Sequence, residues 1–142
     1  MRFLSTLLLL SLGACGGAGG EAFTTRDLGD GVVIDVPASW KLEINEVTVG
    51  VLGDYPVRLA RALVADMTAL RVSLDERVKT CTTKAVSETL PSGAIVRACG
   101  DRLHVTFPID AKRAIECISM GKSAPTVDPI ADRVCRSLRK KS

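Results

Sequence analysis

Between residues 85 and 120, apolar and polar positions alternate in short runs divided by turn residues, the pattern of antiparallel strands. Ala85 to Leu90 and Ala94 to Cys99 flank Pro91-Ser92-Gly93 and predict a hairpin. Gly100-Asp101-Arg102 then turns the chain into Leu103 to Pro108, where Leu103, Val105 and Phe107 alternate with His104 and Thr106. Ile109-Asp110-Ala111-Lys112 turns it once more, and Arg113 to Met120 returns as a strand ended by Gly121. The segment reads as an antiparallel meander. After a loop containing Pro125 and Pro129, Ile130, Val134, Cys135 and Leu138 recur at helical spacing and predict a last helix that buries this stripe on the sheet.

The first half carries a mixed pattern. Gly31 to Val36, followed by Pro37-Ala38-Ser39-Trp40, predicts a short strand stopped by proline and a turn, with Asp30-Gly31 as a turn before it. Leu42, Ile44, Val47, Val49 and Val51 give an extended, imperfectly alternating stretch ending at Gly53-Asp54. From Pro56 the spacing changes, and Ala60, Leu63, Val64, Met67 and Leu70 fall at helical intervals. A second helix is expected from Ser73, where Ser73-Leu74-Asp75-Glu76 fits a capping box, with Val78, Cys81 and Ala85 on one face. Residues 57–86 stay open between helix and strand.

Four cysteines, Cys81, Cys99, Cys117 and Cys135, follow one another at intervals of eighteen residues. Their spacing excludes the close Cys pairs of tetrahedral zinc sites and the Cys-x-x-Cys of redox centres. Four cysteines allow three pairings. Cys135 lies in the apolar stripe of the last helix and Cys117 in the strand before it, so a strand-to-helix bridge is expected, leaving Cys81 for Cys99.

The N-terminus sets the compartment. One positive charge, Arg2, precedes the ten residues Phe3 to Leu12, mostly Leu, and Leu12-Gly13-Ala14-Cys15 closes the run. That stretch is too short for the roughly 30 Å hydrocarbon layer and has the flanks of a cleaved signal. The tetrapeptide resembles the bacterial lipobox. The resemblance implies that residues 1–14 are removed, that Cys15 carries lipid, and that Gly16 directs the chain to the outer membrane. Residues 15–22, rich in glycine, then form a flexible tether; residues 23–142 form one domain. Removing residues 1–14 leaves 128 residues, enough for one core. On the oxidising side of the membrane an even cysteine count argues for two disulfides.

The net charge of +3 gives no strong pull toward nucleic acid, and scarce aromatic residues weaken any base-stacking site. Arg133, Arg136, Arg139, Lys140 and Lys141 crowd the C-terminus. They suit a helix C-terminus, and beside a membrane they would face anionic head groups. Asp27, Asp30 and Asp35 do not match the spacing of a calcium loop. His104 is the single histidine, so a Ser-His-Asp or Cys-His arrangement would have to use it.

The run Gly31-Val32-Val33-Ile34-Asp35-Val36-Pro37-Ala38-Ser39-Trp40 is similar to the opening of the PsbP-like α/β/α sandwich family, which includes DcrB-like bacterial lipoproteins. Cys135-Arg136-Ser137-Leu138-Arg139 resembles the Ser-hydrophobic-Arg close of these domains. The resemblance covers roughly residues 23–139; disulfides are not part of the family pattern. It implies a twisted antiparallel sheet covered by helices, in proteins that mostly bind or support other proteins and share no catalytic residues.

These readings combine into an α+β domain on a lipid anchor in the bacterial envelope, facing the periplasm. It is expected to be a non-enzymatic module that binds an envelope protein or supports an assembly, without metal or cofactor. The alternative is a small envelope hydrolase using His104 with Asp101 or Glu116. A concave pocket holding His104 and a second ionisable group would favour the latter.

Overall fold

Left-handed backbone at Gly29, Asp30 and Gly31 (φ 83°, 53° and 70°) reverses the chain between β1 (Phe23–Gly29) and β2 (Val32–Pro37), as the Asp-Gly pair leads one to expect. The computed structural model describes residues 20–119, 121 and 125–142. Within them β3 (Lys41–Ile44) pairs with β4 (Val49–Leu52), and β5 (Val57–Leu63) leads to α1 (Met67–Lys79). Next come β6 (Ala85–Thr89), β7 (Ile95–Cys99), β8 (Arg102–Pro108) and β9 (Arg113–Ser119), then α2 (Pro129–Arg136) and β10 (Arg139–Lys140). Every strand pairing is antiparallel. The sheets run β1-β2-β10, β3-β4 and β5-β9-β8-β7-β6.

The meander is present as expected, with β5 added at its β9 edge. Around it the structure settles one open reading and corrects two expectations. Residues 57–63, left open between helix and strand, form a strand: Val57 and Leu59 are buried while Arg58 between them is exposed. The helix that follows starts at Asp66, whose side chain accepts from the Thr68 amide at 2.8 Å, so the supposed box at Ser73 lies inside it. Finally, the sheets are not covered by helices, because ten strands and only two helices make up the described residues.

One core joins the layers. Leu28, Val32, Ile34 and Val36 from the smaller sheet cluster with Val96, Leu103, Val105, Ile115 and Cys117 from the larger one, and Ala131, Val134, Cys135 and Leu138 complete the cluster. Burying side chains of this size contributes about 1.5–3 kcal/mol each before conformational entropy is charged. Asp128 caps α2 by accepting from Ile130 and Ala131, and Pro129 fits the first turn because its missing N–H has no partner to lose. Ile130 is exposed and Leu138 lies past the helix end, so Ala131, Val134 and Cys135 form the buried helical stripe. Trp40, buried, stacks on Tyr55 with ring centres 4.6 Å apart.

Both disulfide partnerships expected from the element order stand in the structure. Cys117 joins β9 to Cys135 of α2, with sulfurs 1.97 Å apart, and both residues are fully buried. Cys81, just beyond α1, joins Cys99 of β7 at 2.06 Å, with both residues half-buried. Residues 1–14, Cys15 and most of the tether lie outside the described residues.

Candidate functional site

The five-stranded sheet has two unlike faces. Val96, Leu103, Val105, Ile115, Cys117, Val57 and Leu59 point into the core. On the opposite face the register sets Arg97 of β7 beside His104 of β8, His104 beside Ile118 of β9, and Ile118 beside Arg58 of β5. Four strands thus present one transverse row containing two arginines and the histidine. The row ends on a guanidinium at either side, and carboxylates stand close to it.

Two counter-charges are present. Asp75 of α1 accepts from Arg97 Nε at 2.7 Å, which pins the helix to β7. Glu116 of β9 meets His104 Nε2 at 3.1 Å, with both side chains mostly buried. The hydrogen bond to His104 holds the Glu116 carboxyl below the usual glutamate range, against the upward push of burial, and the pull of His104, Arg58 and Arg77 adds to the lowering. No metal-binding cluster of three or more His, Cys, Asp or Glu side chains occurs among the described residues.

Between the C-terminal half of α1 and strands β7 to β9 lies an open groove of about 810 Å³. Leu74, Val78, Ile118 and the Cys81–Cys99 bridge supply its apolar parts; Arg77, Arg97, Arg102 and Asp101 supply its charges, and His104 an imidazole. His104 therefore does not stand alone on a flat face. Of the two carboxylates considered with it, Glu116 is its hydrogen-bond partner, while the Asp101 carboxylate packs against Gly121, where an added Cβ would come within 2.8 Å of its oxygen. Two hydroxyls of the groove are engaged: Ser119 Oγ donates to the Asp101 carbonyl and accepts from the Leu103 amide, and Thr80 Oγ1 donates to the Arg77 carbonyl.

The other candidates disperse. Asp27 pairs with Lys141, Asp30 with Arg61 and Arg113, and Asp35 with Arg139, so the three acids anchor separate contacts. Arg136 pairs with Asp132 and Glu88, which leaves little of the C-terminal basic cluster unpaired; Arg133 lies 3.6 Å over the Phe23 ring. Sequence reasoning missed Arg58, Arg77 and Arg97. Only the strand register, invisible before folding, brings Arg58 and Arg97 into line with His104.

No family model matches the chain, and no curated protein matches it either.

Proposed function

We propose that this chain is a lipid-anchored envelope protein whose disulfide-stapled domain works by binding rather than by catalysis. The observation that carries the reading is the pair of disulfides: Cys117–Cys135 locks the terminal helix into the core and Cys81–Cys99 ties α1 to the sheet, an economy suited to an oxidising compartment. The signal-like run and Cys15 add the anchor. β1 opens at Phe23, eight residues after Cys15, so the tether is short and the domain would stay close to the lipid surface. Acyl chains contribute about 0.8 kcal/mol per buried methylene, so two or more long chains hold such a domain firmly. An outer-membrane location facing the periplasm follows from Gly16.

The likeness of the two motif segments to PsbP-like domains belongs to the same proposal, without the helix covering that it implied. The two segments form one unit: the Asp35 amide donates to Ser137 Oγ, and Arg139 grips the Asp35 carboxylate with both terminal nitrogens. This contact gives a physical reason for a domain to begin and end on those residues.

A second reading, a small hydrolase, draws on the concavity that holds His104 against Glu116. In it His104 would take a proton from water and Glu116 would orient the ring. Release of p-nitrophenol from simple esters that vanishes in His104→Ala would favour it.

The anchor is tested by growing cells with labelled palmitate. The wild-type chain should take up label and Cys15→Ala should not. Equal labelling of the two chains, or of neither, contradicts the anchor.

A further inference from the structure

Charge is not balanced at the groove. Asp75 pairs with Arg97, and Glu116 bonds His104 and feels Arg58 and Arg77 at longer range, but Arg58, Arg77 and Arg102 make no direct ion pair among the described residues. Arg77 and Arg102 line the groove from opposite sides, one on α1 and one at the start of β8, while Arg58 ends the row that runs through His104 and Ile118 outside the lining. Asp101 is the one carboxylate among the described lining residues, and its oxygens lie against Gly121, also in the lining. Isolated arginines on a convex surface are simply hydrated. Here Arg77 and Arg102 line a concavity with apolar walls, where the low-dielectric surroundings focus the field and attract anions.

Shape and chemistry agree on the ligand's size and character. The groove falls in the range of small-molecule sites. Leu74, Val78, Ile118 and the half-buried Cys81–Cys99 bridge give an apolar bed beside the guanidinium groups. Arginine forks match the planar oxygens of a carboxylate or the oxygens of a phosphate.

We propose that this groove is a binding site for a small organic anion, whose carboxylate or phosphate head meets Arg77 and Arg102 while its apolar body lies on Leu74, Val78 and Ile118. This rests on the binding reading above and assigns that reading a ligand class. Arg97, already held by Asp75 and by the Glu88 and Val96 carbonyls, is a fixed wall of the site. His104 reports occupancy because its ring stands in the row under the ligand.

The full chain in zwitterionic micelles would be titrated with benzoate, phenyl phosphate, the neutral isostere benzamide and inorganic phosphate, following the His104 ring resonances by NMR. Benzoate and phenyl phosphate should bind at least about tenfold more tightly than benzamide and inorganic phosphate respectively. Arg77→Gln and Arg102→Gln, both at exposed positions, should each weaken benzoate several-fold; Lys140→Gln on β10 of the other sheet should not. Equal affinity for benzoate and benzamide, or unmoved His104 resonances, overturns the proposal. Equal affinity for phenyl phosphate and inorganic phosphate overturns its apolar half. None of these substitutions touches Cys15, so palmitate labelling and anion binding can fail independently.

Discussion

Asp35 shows how single side chains close this fold. Its amide is bonded to Ser137, its carboxylate to Thr25 and to both terminal nitrogens of Arg139, and the fully buried Leu138 sits between the two C-terminal partners. The Arg139 bond holds the Asp35 carboxyl below the usual aspartate range, against burial, with help from Thr25. Ser137→Ala leaves the Asp35 amide without its acceptor and should cost about 1–3 kcal/mol in urea unfolding. A loss within error would show that the clamp is dispensable. Glu116 gives a second test through pH. Because its folded pKa lies below the ordinary value of 4.5, its contribution is complete above that pH and disappears as pH falls through the lowered folded value. Glu116→Gln should therefore be less stable than wild type near neutrality, with the gap closing in acid. A gap independent of pH would mean that the His104 contact does not couple to protonation.

At the scale of elements, the two disulfides close loops of equal span, eighteen residues apart in sequence, so the chain-entropy model gives each about 3 kcal/mol. Their surroundings differ. Cys117–Cys135 is sealed in the core and Cys81–Cys99 lines the open groove, so mild reductant followed by alkylation should label Cys81 and Cys99 first. Labelling of all four in step would contradict the two-environment picture. The same burial explains what could be read in advance. β6 to β9 were legible because their turns carry Pro, Gly and Asp and their apolar residues alternate. β5 was hidden by Arg61, which falls on the core-facing side of the alternation but reaches Asp30 and the Leu28 and Asn45 carbonyls. It also presses so closely on Gly29 that a Cβ there would lie 2.9 Å from its guanidinium. α1 buries only Leu74 fully, so its apolar stripe is too thin to mark its start, and β10 is a two-residue strand that read as a charged tail. His104 and Glu116 could be named as candidates; the arginines around them depended on a register set by long-range pairing.

The described residues form a small α+β domain with one shared core, a stapled C-terminal helix and an open, arginine-lined groove on the far face of the five-stranded sheet. Placed on a short tether, that groove would meet soluble ligands close to the lipid surface. The proposed anchor and compartment stand or fall with the disulfides, because export would supply both the acylation of Cys15 and the oxidation of the other four cysteines. One intact-mass measurement on the protein extracted from membranes reads all three. The expected result is a chain starting at Cys15, heavier than its sequence by the attached lipid once reduced, and four hydrogens lighter before reduction than after. An unprocessed, unlipidated chain from Met1 whose mass does not change on reduction would contradict it.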